Sequence, residues 1–333
     1  MDLQAIRART QVVKTLRQIL EEMGFEEVVP TVMSSAIPTE PTIFPFVTSW
    51  DREQQKDDRF LATSPEAYLK RAMAAGGGDC FAIGSVFRNM EGAGRWHQPE
   101  FLMAEWYKRD SDWGKMMEVT QQVVLQLVDK FQAPSTKHQI SSKFKIQNSK
   151  RNWETLSWVE LWREYVGVDL LTLMSDGAMN DWAKGQGYQV EGASWEQLFN
   201  QGNLNLIEPR LPKTPYFLVD FPARISPLCK AQGDEPKLAE RFELVIDGVE
   251  LGNGNSELFD EGRVREMMEG EISLRKETGE PVSGIDQEFL EALGKLSVQQ
   301  WAGVGLGVDR LAAMIAGVSV AEVQGVGRGE GLE

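Results

Sequence analysis

Cys80-Phe81-Ala82-Ile83-Gly84-Ser85-Val86-Phe87-Arg88 reads as a β-strand, and Glu100-Phe101-Leu102-Met103-Ala104-Glu105-Trp106-Tyr107 reads as a second. A glycine-bearing loop to Trp96 separates them, which predicts a long-looped antiparallel pair. Upstream, residues 2–23 carry Ile6, Val12, Val13, Leu16, Ile19 and Leu20 at helical spacing, with arginines and glutamates between them. Gly24 ends that helix, and residues 25–30 predict a strand closed by Pro30. Residues 34–60 hold several prolines and a polar run from Trp50 to Arg59, which predicts a long loop or hairpin. A second helix opens at Ser64-Pro65-Glu66 and runs through Met73 to the glycines at 76–78.

Downstream, 112–131 returns to helical spacing, and 136–205 is rich in tryptophan (Trp153, Trp158, Trp162, Trp182, Trp195). That stretch predicts a helical insertion within a single catalytic domain spanning 1–333. Strands follow at 216–220 and 241–251, a helix at 260–277, and a glycine-rich strand at 303–307 leading into a helix at 309–316. Strands in hairpins, a helical insert, more strands and a last strand–helix unit predict an α+β fold, mainly antiparallel, with flanking helices.

The 333 residues, 42% hydrophobic and 26% charged, fit an ordinary globular chain. No apolar stretch reaches the ~20 residues of a membrane-spanning helix. The N-terminus has no basic region followed by an apolar run, so a cytoplasmic protein is expected. Two cysteines, Cys80 and Cys229, and two histidines, His97 and His138, exclude a disulfide framework and histidine-rich zinc chemistry. The balance of 35 basic against 50 acidic residues gives −15, which argues against extensive contact with a phosphate backbone. A small basic pocket for one nucleotide stays compatible with it.

Three clusters carry candidate chemistry. Arg88, with Glu91, Arg95, His97 and Phe101 after it, puts guanidinium groups and an aromatic face beside one inter-strand loop. The plainer alternative is a surface hairpin with salt bridges. Glu243 and Glu250 lie on either side of the Asp247-Gly248 turn, in an apolar setting of Phe242, Leu244, Val245, Ile246 and Leu251. Two carboxylates brought together there would suit Mg²⁺, against the alternative of a solvated acidic face. Gly303, Gly305 and Gly307 alternate on one strand, which strips one face so that a flat ligand can approach the backbone. Glycines on the strand rather than after it fail the dinucleotide fingerprint.

With these residues in view, Phe87-Arg88 through Glu105-Trp106-Tyr107 resembles motif 2 of the class II aminoacyl-tRNA synthetases. Gly303 to Leu311 resembles motif 3, and the helix leading to Val28-Val29-Pro30 resembles the dimer-forming motif 1. The stretch 250–258 is similar to the lysyl-tRNA synthetase signature. Residues 42–48 and 63–71 are similar to the short paralogues of that enzyme, the elongation factor P β-lysine ligases. Motif 1 stands at the first residues, so no anticodon-binding barrel is expected before it.

The resemblance implies an ATP- and Mg²⁺-dependent ligase, a homodimer working in translation. It makes a lysyl- or β-lysyl-adenylate and transfers the acyl group to a lysine of elongation factor P. It implies that Arg88 holds the α-phosphate and the substrate carboxylate, and that Arg310 holds the γ-phosphate end. Glu91, Arg95 and His97 fall to the phosphates and adenine, Phe101 to stacking under the base, and Leu251, Gly305 and Gly307 to the nucleotide site. Glu243 and Glu250 are the implied metal ligands. Ser64, Pro65, Glu66, Glu105, Tyr107, Asn253 and Glu257 are the implied lysine pocket.

The pattern also departs from the family. Met90 stands where a glutamate is usual, with Glu91 next, and the loop from Arg88 to His97 is one residue longer. Gln98, Leu102, Ala104 and Asn255 replace the usual residues. Gly305 stands where the β-lysine ligases commonly carry alanine and the lysyl-tRNA synthetases glycine, so α-lysine and β-lysine both remain open. A minimal lysyl-tRNA synthetase charging tRNA or another small acceptor, and a non-catalytic nucleotide- or lysine-binding paralogue, are the competing readings.

Overall fold

A computed structural model describes residues 2–37, 43–53, 55–90, 92, 94–132 and 153–326. Its strands are β1 (Glu26–Glu27), β2 (Met33–Ser34), β3 (Val47–Arg52), β4 (Gln55–Leu61), β5 (Cys80–Phe87), β6 (Glu100–Arg109), β7 (Glu154–Ser157), β8 (Tyr216–Val219), β9 (Arg241–Ile246), β10 (Val249–Ser256) and β11 (Trp301–Gly307). The α-helices are α1 (Leu3–Glu22), α2 (Glu66–Ala74), α3 (Trp113–Gln132), α4 (Trp158–Leu161), α5 (Asp176–Gly185), α6 (Trp195–Gly202), α7 (Glu261–Thr278), α8 (Gln287–Leu296), α9 (Val308–Ala316) and α10 (Val320–Gln324). None of the described helices is long and apolar enough to cross a membrane.

Eight strands form one sheet in the order β1-β5-β6-β11-β10-β9-β8-β7. The six central strands pair antiparallel, and only the edge pairs β1·β5 and β7·β8 are parallel. β2, β4 and β3 make a separate small sheet, with the polar run at Trp50 to Arg59 in its hairpin.

Period-two alternation separates the two faces of the large sheet. Phe81, Ala104, Trp106, Phe242, Leu244, Val304 and Leu306 point to one side, where α1, α3, α9 and α10 bury them in the main core. Their neighbours Glu105, Tyr107, Glu243, Asn253, Gly303 and Gly305 therefore point to the other. A further core of Leu69, Met73, Cys80, Ala82, Phe289, Leu293 and Trp301 packs α2 and α8 beside that second face. Asp309, 1% exposed at the start of α9, takes both Arg9 Nε (2.6 Å) and Arg9 Nη2 (3.1 Å) from α1 and the amide of Leu102 from β6. One buried carboxylate thus ties two helices to the sheet.

The segment from Trp158 to Arg210 has its own apolar core, with Trp158, Trp162, Trp195 and Phe199 at its centre. Strand β7 immediately before it belongs to the large sheet, so within the described residues the helical part starts at Trp158. Positions 136–152 lie outside the described residues. Gly202 closes α6 against indole rings: a Cβ there would lie 2.8 Å from Trp182 Cη2 and 3.0 Å from Trp162 Cη2. Alanine would gain about 1 kcal/mol of helix propensity, but overpacking costs about 1–3 kcal/mol. Trp162 is stacked on Phe199 at 5.7 Å and cannot yield cheaply. Gly202→Ala is therefore expected to lower the urea unfolding midpoint, and an unchanged or higher midpoint would contradict this packing.

Candidate active site

The polar face of the sheet, roofed by α7 and the loop before β9, encloses a cavity of about 630 Å³. Arg88, at the end of β5, donates from Nε to the carbonyl of Thr63 (3.3 Å) and lies over the Phe101 ring at 5.4 Å. Arg310, on the first turn of α9, donates to the Glu250 carbonyl (2.8 Å) and the Trp96 carbonyl (3.2 Å). Its Nη2 lies 2.8 Å from His97 Nε2. A guanidinium only donates, so that ring nitrogen accepts. Arg88, Arg310, His97, Phe101, Glu250, Leu251, Gly305 and Gly307 all line this one cavity. Two cations, an aromatic face and a bare strand surface at one end are what a nucleoside triphosphate requires.

The other end is acidic. Ser64, Glu66, Glu105, Tyr107, Asn253 and Glu257 line it. The Tyr107 hydroxyl donates to Glu105 Oε1 at 2.5 Å, and the Asn255 amide donates to Glu257 Oε1 at 3.1 Å. Burial, reinforced by the Glu66 charge, pushes the Glu105 carboxyl well above the usual range; Tyr107 and Lys70 oppose the shift without cancelling it. Burial likewise pushes Glu257 up to about 7, against the pull of Lys70. Closely packed carboxylates with too little positive charge around them suit a cationic ligand.

The glycine strand behaves differently along its length. A Cβ at Gly303 would lie 2.4 Å from Tyr107 Cε1, so that space is filled by the protein's own ring rather than offered to a ligand. At Gly305 the nearest atom to a Cβ would be Met103 Sδ, at 3.5 Å, which is ordinary contact. Only Gly305 and Gly307 keep the open surface expected of all three.

Some nominated residues stand apart. Pro65, Arg95 and Glu243 do not line the cavity. Arg95 instead stacks on Trp96 at 4.9 Å. Glu243 is paired with Arg241 (2.8 Å) on β9, and its carboxyl is pushed up to about 8, first by burial and then by the Glu250 charge. Glu91 lies outside the described residues, and Met90, 77% exposed with φ 61°, points its side chain to solvent. Among the described residues no cluster of three or more His, Cys, Asp or Glu forms a metal cage. Glu250 lines the cavity and lies close enough to Glu243 to raise its carboxyl, so a divalent cation completed by water and phosphate oxygens would have to draw Glu243 away from Arg241.

Residues 2–325 match the model of the family described as tRNA synthetases class II (D, K and N). The chain belongs to that family. Within this class II family it is 31% identical over 326 residues to an elongation factor P–(R)-β-lysine ligase of Avibacterium paragallinarum, covering 95% of this chain and 92% of that protein. It is 31% identical over 308 residues to a lysine–tRNA ligase of Carboxydothermus hydrogenoformans, covering 92% of this chain and 61% of that one. A lysine–tRNA ligase of Oceanobacillus iheyensis is 32% identical over 313 residues, with 61% of its length covered. The chain thus spans about three fifths of those lysine–tRNA ligases. The α+β sheet with flanking helices is the class II synthetase catalytic fold.

Several residues of the site escaped the sequence reading. Lys70 stands behind Glu66 and Glu257; its spacing of four from Glu66 was a signal, but such pairs usually lie on a solvated helix face. Ser226 also lines the cavity, placed there by a loop without a motif, and so does Arg241 at the start of β9.

The buried carboxylates give a pH signature. Glu243 has an ordinary value of 4.5 and a folded value of about 8. Between those values the native state holds a proton that the unfolded state has released, so this group's stabilisation is lost as pH rises through that window. Relative to Glu243→Gln, the ligand-free protein is expected to lose thermal stability between about pH 5 and about pH 8. Parallel melting curves that stay a constant distance apart would contradict it.

Proposed function

We propose that this chain activates lysine or β-lysine with ATP as the aminoacyl-adenylate and passes the acyl group to a lysine of elongation factor P. The observation that carries the reading is one cavity with two guanidiniums at one end and three carboxylates, Glu66, Glu105 and Glu257, at the other. Such a site takes a polyanion and a diamino acid side by side.

In this reading the amino-acid carboxylate attacks the α-phosphorus, forming a mixed anhydride as the bond to the bridging oxygen breaks and pyrophosphate departs. Arg88 neutralises the carboxylate and α-phosphate as they converge. Arg310, held by Glu250, Trp96 and His97, meets the leaving pyrophosphate. Catalysis is alignment and charge stabilisation, with no enzyme nucleophile. Glu243 and Glu250 would hold Mg²⁺, which supplies further neutralisation of phosphate charge. In the second half-reaction the acceptor's neutral amine attacks the acyl carbon, AMP leaves with the bonding electrons, and the amine's proton passes to solvent.

The acceptor is assigned from the relative named for elongation factor P, which is matched along nearly the whole of both chains. The net charge of −15 supports a protein acceptor over a tRNA backbone. A homodimer is proposed on the motif 1 side, where Val29 (78% exposed), Val32, Met33 and Val47 present apolar side chains. Incubation with ATP, labelled lysine or β-lysine, and elongation factor P tests the proposal. Label on elongation factor P with amino-acid-dependent pyrophosphate exchange is expected. Label on tRNA would favour the lysyl-tRNA synthetase-like alternative, for which Gly305 speaks, and no exchange would leave a binding protein only.

A further inference from the structure

Lys70 sits on α2 with its Nζ 2.5 Å from Glu66 Oε1 and 2.6 Å from Glu257 Oε2. It is 1% exposed and flanked by the rings of Tyr107 (5.8 Å) and Phe259 (5.9 Å). Glu66 and Glu257 line the cavity, but Lys70 does not; it touches both carboxylates from behind the wall. A lysine buried this deeply persists only when paired. The facing groups are Glu66 from its own helix, Glu257 just beyond β10, Glu105 and Tyr107 from β6, and Cys229 from the loop before β9.

Three carboxylates line this end of the cavity with one resident ammonium between them, so two further ammonium groups would complete the pairing. Lysine, in its α or β form, carries two ammonium groups. We infer that Lys70 is a positioning residue, a resident ammonium that pairs with Glu66 and Glu257 from behind, aims both carboxylates into the pocket and so limits the pocket to molecules bearing two further ammonium groups. The inference rests on the lysine-activating reading above. Burial by itself would lower the Lys70 ammonium, but Glu257 and Glu66 outweigh it and hold it charged. Without that ammonium, two facing carboxylates would share a proton, as like charges in one site do.

The test is lysine-dependent pyrophosphate exchange by wild type, Lys70→Met and Lys70→Arg. In Lys70→Met the incoming substrate must expel the shared proton. KM for lysine is therefore expected to rise about tenfold at neutral pH and to fall about tenfold per pH unit more steeply than in wild type. kcat and KM for ATP should stay within about threefold, because the triphosphate end is untouched. Lys70→Arg, keeping the charge, should move KM back toward wild type. If Lys70→Met does not fold, Lys70→Gln, whose amide can still donate to one carboxylate, is read in its place with the same expectation. A folded neutral variant with wild-type KM and wild-type pH slope would overturn the inference. A second measurement needs no variant: norleucine and 6-aminohexanoate, with one ammonium each, should inhibit only about a hundredfold above the lysine KM, and inhibition near that KM would overturn it. A wild-type protein without any lysine-dependent exchange would instead refute the underlying reading, and the inference with it.

Discussion

Replacing Arg88 by alanine is expected to cut lysine-dependent pyrophosphate exchange by about a thousandfold or more. Arg88 lines the cavity between Phe101 and the Thr63 carbonyl. In the proposed reaction two anions, a carboxylate and an α-phosphate, must approach each other there. Their repulsion in a partly dry site is large, and only a fixed guanidinium at that point offsets it without reorganising water. Lysine at the same position would keep the charge but lose the planar fork, so Arg88→Lys should recover only a small part of the rate. The unfolding midpoint of Arg88→Ala, measured alongside, separates this loss from misfolding. Arg310→Ala gives a contrasting pattern. In the proposed reaction it removes the cation set against the leaving pyrophosphate, so KM for ATP should rise together with the fall in kcat. Exchange by folded Arg88→Ala within about tenfold of wild type would remove Arg88 from the reaction.

The strand pair around Arg88 was legible because alternation is local. Leu102, Ala104 and Trp106 had to share a face, which put Met103, Glu105 and Tyr107 on the other. Legibility failed where distant contacts decided. The strand expected over 25–30 is a two-residue edge, β1, pairing only with Cys80 and Phe81 because it lies outside the last antiparallel strand. Helix α8 was not anticipated, although Asp286 caps it and Phe289, Leu290, Leu293 and Leu296 repeat at helical spacing. The proline and glycines before it masked the start. The pair Glu243 and Glu250 was half visible: the turn at Asp247 and Gly248, both at positive φ, does fold Glu250 back beside Glu243. That Arg241 would already hold Glu243 could not be read, because two residues on one strand share a face without having to meet.

Gly303→Ala carries the second large expected effect. β11 and β6 pair so that Gly303 lies opposite Tyr107 and Gly305 opposite Glu105. The added methyl would lie 2.4 Å and 2.6 Å from Tyr107 Cε1 and Cδ1 and 3.0 Å from Glu257 Oε1. Neither strand can retreat, because both are central in the sheet and their other faces are buried in the main core. The Tyr107 ring must therefore leave its place. Its hydroxyl then releases Glu105, and the ring no longer lies beside Lys70. The cost to stability should be about 1–3 kcal/mol, the usual range for overpacking, while the cost to lysine binding should be greater because the pocket wall itself moves. KM for lysine is expected to rise by about a hundredfold or more, with KM for ATP changed far less. Gly305→Ala provides the control, since its methyl would meet nothing closer than 3.5 Å. Equal losses of stability and lysine binding in the two variants would mean that the strand tolerates no side chain anywhere, and that the Tyr107 ring does not explain the need for glycine at 303.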